Sequence, residues 1–349
     1  MKVRANALGP EGMGVYDLQW SAGRLEMRRA DGESDSTVIP GFVDIHIHGA
    51  YGLDFMTAST DEMIKLCEDL AKEGYEGFLP TTVTSDADSV RRALRSLPSH
   101  PMILGFHLEG PFISDQYPGA QPPSLIADIP VDGEWSDILE DRRLRVITLA
   151  PEKPGALSLI KRLAMRGVAV SMGHSAATFE EAAQGAAAGA THATHTFNAM
   201  KGFHHREAGL AGYALLDDNL YTELIYDRIH VSLPSARLLL KSKPADKVVA
   251  VSDSTMATRM PAGSKIKMWG LDCVTSPGQV RLAGSGALAG SAITLLDAFR
   301  NMAADFGLEA AIRACCVNPR LSIGLDPTPS TYLHLSKDLM IAEVLRRPS

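Results

Sequence analysis

The sequence predicts a (β/α)8 TIM barrel, and three observations carry that prediction. From Ile39 onward, short apolar runs alternate with Ala-rich helical segments. Eight such runs recur at about 35 residues per unit, which suits a barrel repeat. Polar residues gather at the C-terminal ends of nearly all the runs, where a barrel builds its site. A doubly wound sheet is the alternative, but it would collect them at one switch point.

The expected strands are Phe42–His48, Gly77–Val83, Ile103–Leu108, Leu144–Ala150, Val168–Gly173, Ala190–Thr196, Thr222–Ile229 and Lys247–Ser252. Helical candidates between them include Thr60–Glu73, Ala87–Leu97, Gly155–Arg166, Phe179–Ala188 and Pro234–Leu240. A last helical pair, Ser291–Phe306 and Glu309–Cys316, follows the eighth strand. Residues 1–39 are polar and turn-rich, with strand hints at Gly14–Leu18 and Arg24–Arg28, too little to fold alone. The tail, 326–349, carries one more strand-like stretch, Thr331–Leu335. The expected organisation is a barrel over 40–325 and a small β domain built from both termini.

Composition narrows the function classes. A chain of 349 residues with 45% hydrophobic and 21% charged residues can bury a large core without staples. Its net charge of −7 and lack of a Lys/Arg-rich run argue against a nucleic-acid partner. No run approaches the roughly 20 apolar residues needed to span a bilayer, so no membrane role is expected. The N-terminus lacks the apolar stretch of a signal peptide, and a cytoplasmic location is expected. Cys67, Cys273, Cys315 and Cys316 form no C-x-x-C pair and read as reduced core thiols.

The chemistry lies in histidines and carboxylates at strand ends. Phe42-Val43-Asp44-Ile45-His46-Ile47-His48 alternates strictly, so Asp44, His46 and His48 are expected to share one strand face. That face would point into the barrel mouth, with Val43, Ile45 and Ile47 under the helices. His107-Leu108-Glu109-Gly110-Pro111 ends the third strand with a carboxylate able to bridge metals. Ser171-Met172-Gly173-His174 and Thr194-His195 end the fifth and sixth, each His following small residues that let its ring reach the axis. His192, three residues before His195, is expected to be outward or structural. Val248–Val251 leads to Asp253, a helix N-cap or a catalytic base. Imidazoles and carboxylates without cysteine suit a divalent metal, Zn2+ or Fe2+, with open water positions.

With these residues in order, the sequence resembles the N-acetylglucosamine-6-phosphate deacetylases of the amidohydrolase superfamily. The resemblance runs through Pro40-Gly41-Phe42-Val43-Asp44-Ile45-His46-Ile47-His48-Gly49, His107-Leu108-Glu109-Gly110-Pro111-Phe112 and Gly173-His174-Ser175. It continues through Thr194-His195-Thr196-Phe197-Asn198-Ala199-Met200, Arg206-Glu207-Ala208-Gly209 and Leu288-Ala289-Gly290-Ser291. It implies that Glu109, His174 and His195 form the principal metal site, while His46 and His48 hold a second ion in some members. Asp253 corresponds to the catalytic aspartate. Asn198, Ala199, Arg206 and His230 match positions that hold the sugar phosphate, and Leu288 lies in a further substrate-contacting motif. The implied fold is a barrel with a small β-sandwich domain, reduced here because both terminal segments are short, and the implied assembly is a homodimer.

Two departures stand out. Pro118-Gly119-Ala120-Gln121 replaces the usual Lys-Gly-Ala-His, so Gln121 takes the place of a histidine at the reacting end of the substrate. Arg228 stands where glycine is usual, as either an added anion contact or an outward side chain. The galactosamine epimer, or another N-acyl amino sugar, is the rival substrate. A dead barrel retained for binding would be expected to lack ligands, and none of the six is missing. Cyclic-amide or deaminase chemistry usually needs a carboxylated lysine at the fourth strand end, where Leu149-Ala150-Pro151-Glu152 offers none.

Overall fold

The computed structural model describes residues 2–21, 23–130 and 133–347. Eight parallel strands form the barrel. We label them β1 (Phe42–Ile47), β2 (Tyr75–Pro80), β3 (Phe106–Glu109), β4 (Leu144–Leu149), β5 (Ala169–Met172), β6 (His192–Ala193), β7 (Tyr221–Ile225) and β8 (Val248–Val251). Strands β3 to β8 hydrogen-bond as one sheet, and β1 pairs with β2. Bridges between Phe78 and Ile103 and between Thr81 and His107 join β2 to β3. The last seam, β8 to β1, is closed by Asp253 N–H donating to the His46 carbonyl (2.9 Å) and His48 N–H to the Ser254 carbonyl (2.8 Å).

The interior is layered. Val43, Ile45, Leu79, Val146, Ala169, Ile225, Val249 and Val251, drawn from six strands, touch one another and so converge on the axis. Above them runs a belt of hydroxyls, with Thr148 Oγ1 2.8 Å from both His107 Nε2 and Thr194 Oγ1, and Ser171 Oγ 2.5 Å from Thr194 Oγ1. The metal-type side chains come next.

Here the expectation for β1 needs correction. Val43 and Ile45 face the axis, whereas Ile47 packs in the larger core beneath the helices. Asp44 accepts from the Tyr75 hydroxyl (3.3 Å) and from the His46 N–H (3.2 Å). The β1–β2 register slips between Asp44 and Ile47. One irregular step switches faces, which is how His46 and His48 reach the interior above Ile45.

The surrounding helices carry explicit start signals. Ser59 and Glu62 form a reciprocal capping box at Thr60–Lys72, and Thr178 with Glu181 does the same at Phe179–Ala188. Met63, Leu66, Cys67 and Leu70 bury one face of the first at helical spacing. The predicted Ser291–Phe306 begins later, at Leu295, behind the Thr294–Asp297 cap. The predicted Glu309–Cys316 is a helix over Leu308–Ile312 that runs into a π-helical turn, Arg313–Val317. All four cysteines are free and buried.

Segments from both termini form one six-stranded sheet. Its strands are Lys2–Gly9, Gly12–Ser21, Arg24–Arg29, Thr37–Pro40, Thr331–Leu335 and Ile341–Arg346. A second, four-stranded antiparallel sheet spans Lys265–Met268, Leu271–Ser276, Gln279–Leu282 and Leu288–Ser291, and has no counterpart in the sequence prediction. It is inserted between β8 and the Leu295–Phe306 helix. Its last strand ends at the barrel mouth, where Ser291 N–H donates to the Asp253 carbonyl (2.8 Å).

Candidate active site

His46, His48, Glu109, His174, His195 and Asp253 meet at the C-terminal mouth of the barrel, all buried. They divide into two groups with metal-ligand spacing, His46–His48–Asp253 and Glu109–His174–His195. Glu109 links the groups. Its Oε1 lies 3.2 Å from both His174 Nε2 and His195 Nε2 and 3.3 Å from His46 Nε2, while its Oε2 lies 3.2 Å from His48 Nε2. Asp253 Oδ1 is 3.2 Å from His48 Nε2 and 3.5 Å from His46 Nε2.

Three imidazoles are oriented from behind. His48 Nδ1 meets the Thr81 carbonyl (3.1 Å), His174 Nδ1 the Tyr117 carbonyl (3.0 Å) and His46 Nδ1 the carboxylate of Glu223 (3.1 Å). With the Nδ1 proton committed outward, the Nε2 lone pair faces the centre. His174 Nε2 and His195 Nε2 approach to 3.1 Å, and both lie 3.2 Å from Glu109 Oε1, the convergence of ligands on one cation. His46 Nε2 is buried without a hydrogen-bond partner among the described residues. The donor set is therefore that of a cation site.

Electrostatics agree. Burial works against a charged His48, but its hydrogen bonds to Asp253 and Glu109 outweigh that and hold the imidazole up at about 9. His46 is likewise held well above its ordinary value, against burial, by Glu109, Glu223 and Asp253. Burial pushes the Glu109 carboxyl up, and His46, His174 and His195 more than reverse it. Asp253 is held below the usual range in the same way, mainly by His48. Cationic charge is what this cluster stabilises.

The backbone serves the site at a cost. His174, His195 and Asp253 have φ of 47°, 28° and 48°, in the left-handed region that side chains seldom adopt. Each sits just past the end of its strand, where the turn swings the side chain over the axis. Such strain gathers at functional sites when the surrounding structure holds it.

A cavity of about 160 Å3 opens on this cluster. Gln121, Asn198, Ala199, His230 and Leu288 line it, together with Trp269 and Gly290 from the inserted sheet. Gln121 is buried and fixed at both ends: Oε1 accepts from Thr84 N–H (2.7 Å), and Nε2 donates to Glu109 Oε2 (2.6 Å). His230 Nδ1 is 2.6 Å from the buried Asp227 carboxylate, which also accepts from the His230 and Ile229 N–H groups. Arg206, in contrast, does not line the cavity. It is exposed on a segment folded back by reciprocal His204–Glu207 backbone bonds, with His205 Nε2 at 2.8 Å. Arg228 also points outward, its guanidinium 2.7 Å from Asp305. His192 stays in the wall, bonded to Thr191 and stacked on Tyr221.

Sequence reasoning missed Glu223 and Asp227. Glu223 is fully buried in β7, and its one signal was a charge inside the apolar run Thr222-Glu223-Leu224-Ile225. Asp227 carried the signal of an acid three residues before a cavity histidine.

Comparison with known proteins places the chain. The amidohydrolase family model matches residues 37–328. The chain is 36% identical over 306 residues to an N-acetylgalactosamine-6-phosphate deacetylase of Escherichia coli O157:H7, covering 84% of this chain and 80% of that one. It is 38% identical over 279 residues to an N-acetylglucosamine-6-phosphate deacetylase of Lysinibacillus sphaericus, covering 77% and 71%. The N-acetylglucosamine-6-phosphate deacetylase of Mycobacterium smegmatis, solved in complex with N-acetyl-D-glucosamine-6-phosphate, superposes with a TM-score of 0.90. That match has 29% identity and covers 99% of this chain and 98% of the other.

Proposed function

The chain belongs to the amidohydrolase family, and from that premise we propose that it hydrolyses the acetamide of N-acetylglucosamine 6-phosphate, releasing glucosamine 6-phosphate and acetate. The observation that carries this reading is Glu109 joining two ligand groups beneath a small cavity that also holds Asp253.

The residues fit a divalent metal, as the orphaned His46 Nε2 and the outward-anchored Nδ1 atoms attest. Glu109, His174 and His195 would hold one ion, and His46 and His48 with Asp253 a second; Zn2+ or Fe2+ suits the donors. Such an ion supplies Lewis acidity, making water a better nucleophile at neutral pH and polarising the amide carbonyl. Asp253, kept ionised by its neighbours, accepts the proton of the attacking water and returns it to the departing amine. Gln121 spends one amide hydrogen on Glu109 and presents the other to the carbonyl oxygen, where negative charge develops.

Asn198 and the Ala199 N–H would hold the sugar phosphate, with His230 and Leu288, which line the same cavity, as further substrate contacts. Asp227 accepts from His230 Nδ1–H, which fixes the ring and leaves Nε2 an acceptor for a sugar hydroxyl. Arg206 contributes to the phosphate only if the Phe203–Arg206 segment closes over it. The E. coli relative favours a second reading, the galactosamine epimer, which the same donors can bind.

The test is turnover of phosphorylated and unphosphorylated N-acetyl hexosamines, with metal content measured on wild type and Asp253→Asn. The variant should lose about 10²–10⁴-fold in kcat, the scale of a lost general base. Full activity in Asp253→Asn would remove the base. Equal turnover of unphosphorylated sugars would remove the phosphate contacts.

A further inference from the structure

Glu223 is a buried carboxylate behind the site that the reaction does not use. Its side chain is entirely enclosed, and no Lys or Arg among the described residues pairs with it. Its Oε2 has two partners: His46 Nδ1 at 3.1 Å and the backbone N–H of His195 at 3.1 Å. Oε1 has no hydrogen-bond partner among the described residues. A carboxylate buried with half its acceptors idle is costly. A neutral acceptor would have oriented His46 more cheaply, as backbone carbonyls do for His48 and His174.

The two partners belong to different ligand groups. His46 sits with His48 and Asp253, and His195 with Glu109 and His174. Among the described residues His195 Nδ1 has no hydrogen-bond partner. Its main-chain N–H, donated to Glu223 at a φ of 28°, holds this residue from behind. One oxygen thus steadies a ligand of each group from below, while Glu109 joins the groups from above.

We propose that Glu223 is a positioning residue that couples the two metal positions, so that the affinity of each depends on the same buried carboxylate. The proposal rests on the metal-dependent reading above. A charged acceptor behind His46 strengthens that imidazole as a donor, and losing such a partner typically weakens metal affinity about 10–100-fold. Because Oε2 also fixes His195, the loss should reach both positions.

The experiment is equilibrium dialysis of the full chain against Zn2+, with bound metal counted by mass spectrometry. Zinc-induced and metal-free Tm are read alongside, on wild type, Glu223→Gln and Glu223→Asp. Wild type should bind two equivalents. Both variants should bind each equivalent about 10–100-fold more weakly, with a smaller zinc-induced Tm rise. A positioning role predicts weaker zinc binding by the folded variant whatever its metal-free Tm, whereas a merely structural role would lower the metal-free Tm and leave the zinc affinity of the folded protein unchanged. Glu223→Asp keeps the charge but not the reach, and it carries the test if the glutamine variant folds poorly. Unchanged affinity at both positions overturns the proposal, as does loss at one position with the other intact, or a wild type that binds one equivalent. A wild type that binds no metal sinks the metal-dependent reading itself.

Discussion

Replacing Gln121 with methionine separates its structural part from its catalytic one. The side chain keeps its length but loses the bond to Glu109 Oε2 (2.6 Å) and the one from Thr84 N–H (2.7 Å). An orphaned buried N–H costs about 1–3 kcal/mol, and a lost bond to a charged group about 1.5–3 kcal/mol. Gln121→Met should therefore destabilise the fold by about 2.5–6 kcal/mol in all. For a chain of this length, near 2.1 cal/mol/K per residue, that is a Tm lower by about 3–8 °C. If the second amide hydrogen meets the developing oxyanion, kcat should also fall about 10²–10³-fold. The assay is acetate release at saturating substrate and fixed metal, with Tm on the same samples. Gln121→His is the control. It restores a donor and should recover most of kcat, with a new titration near an ordinary imidazole value of about 6.5. A kcat within twofold of wild type in Gln121→Met, despite the lower Tm, would refute the oxyanion role and leave Gln121 a strut for Glu109.

Two other outcomes follow from the same geometry. His48 must lose its proton to ligate, and its neighbours hold that proton to about 9, so metal affinity should rise about tenfold per pH unit up to that value for this one proton and then level. Chelator competition between pH 6 and 9.5 reads this, and a flat profile would contradict the hydrogen bonds assigned to His48. Gly290, at φ +65°, leaves no room for a Cβ, which would stand 2.6 Å from Thr255 Cγ2 and 3.0 Å from the Asp253 carbonyl. Gly290→Ala should cost about 1–2 kcal/mol in backbone strain and, by shifting Asp253, lower kcat by about tenfold or more. Wild-type kinetics in that variant would mean that Asp253 is not held from this side.

The barrel was legible because its strands are apolar runs that end in polar residues, and their ends coincide with the site. Six dispersed residues could be brought together on paper by that rule alone. It failed where one residue decides the geometry. Strict alternation put Asp44 on the face of His46 and His48, and the register slip before Ile47 cannot be read from a hydrophobic pattern. The inserted sheet was missed because Lys265–Met268 and Gln279–Leu282 are short, half-exposed and mixed in polarity, so no face repeats long enough to signal. Trp269 therefore entered the cavity unannounced. Arg206 carried a motif but no information on where its loop lies. Glu223 and Asp227 act on other side chains, and such partnerships exist only once β7 is laid beside β1 and β6.

The left-handed backbone at His174, His195 and Asp253 sets the rules for anyone engineering this protein. At each of these points glycine is the residue the main chain prefers, by about 1–2 kcal/mol. A thermostability screen blind to turnover would thus enrich glycine at three positions proposed to hold metal and move the proton, and on that reading its most robust winners would be inert. Libraries for this scaffold should lock those codons and seek stability in the terminal six-stranded sheet instead.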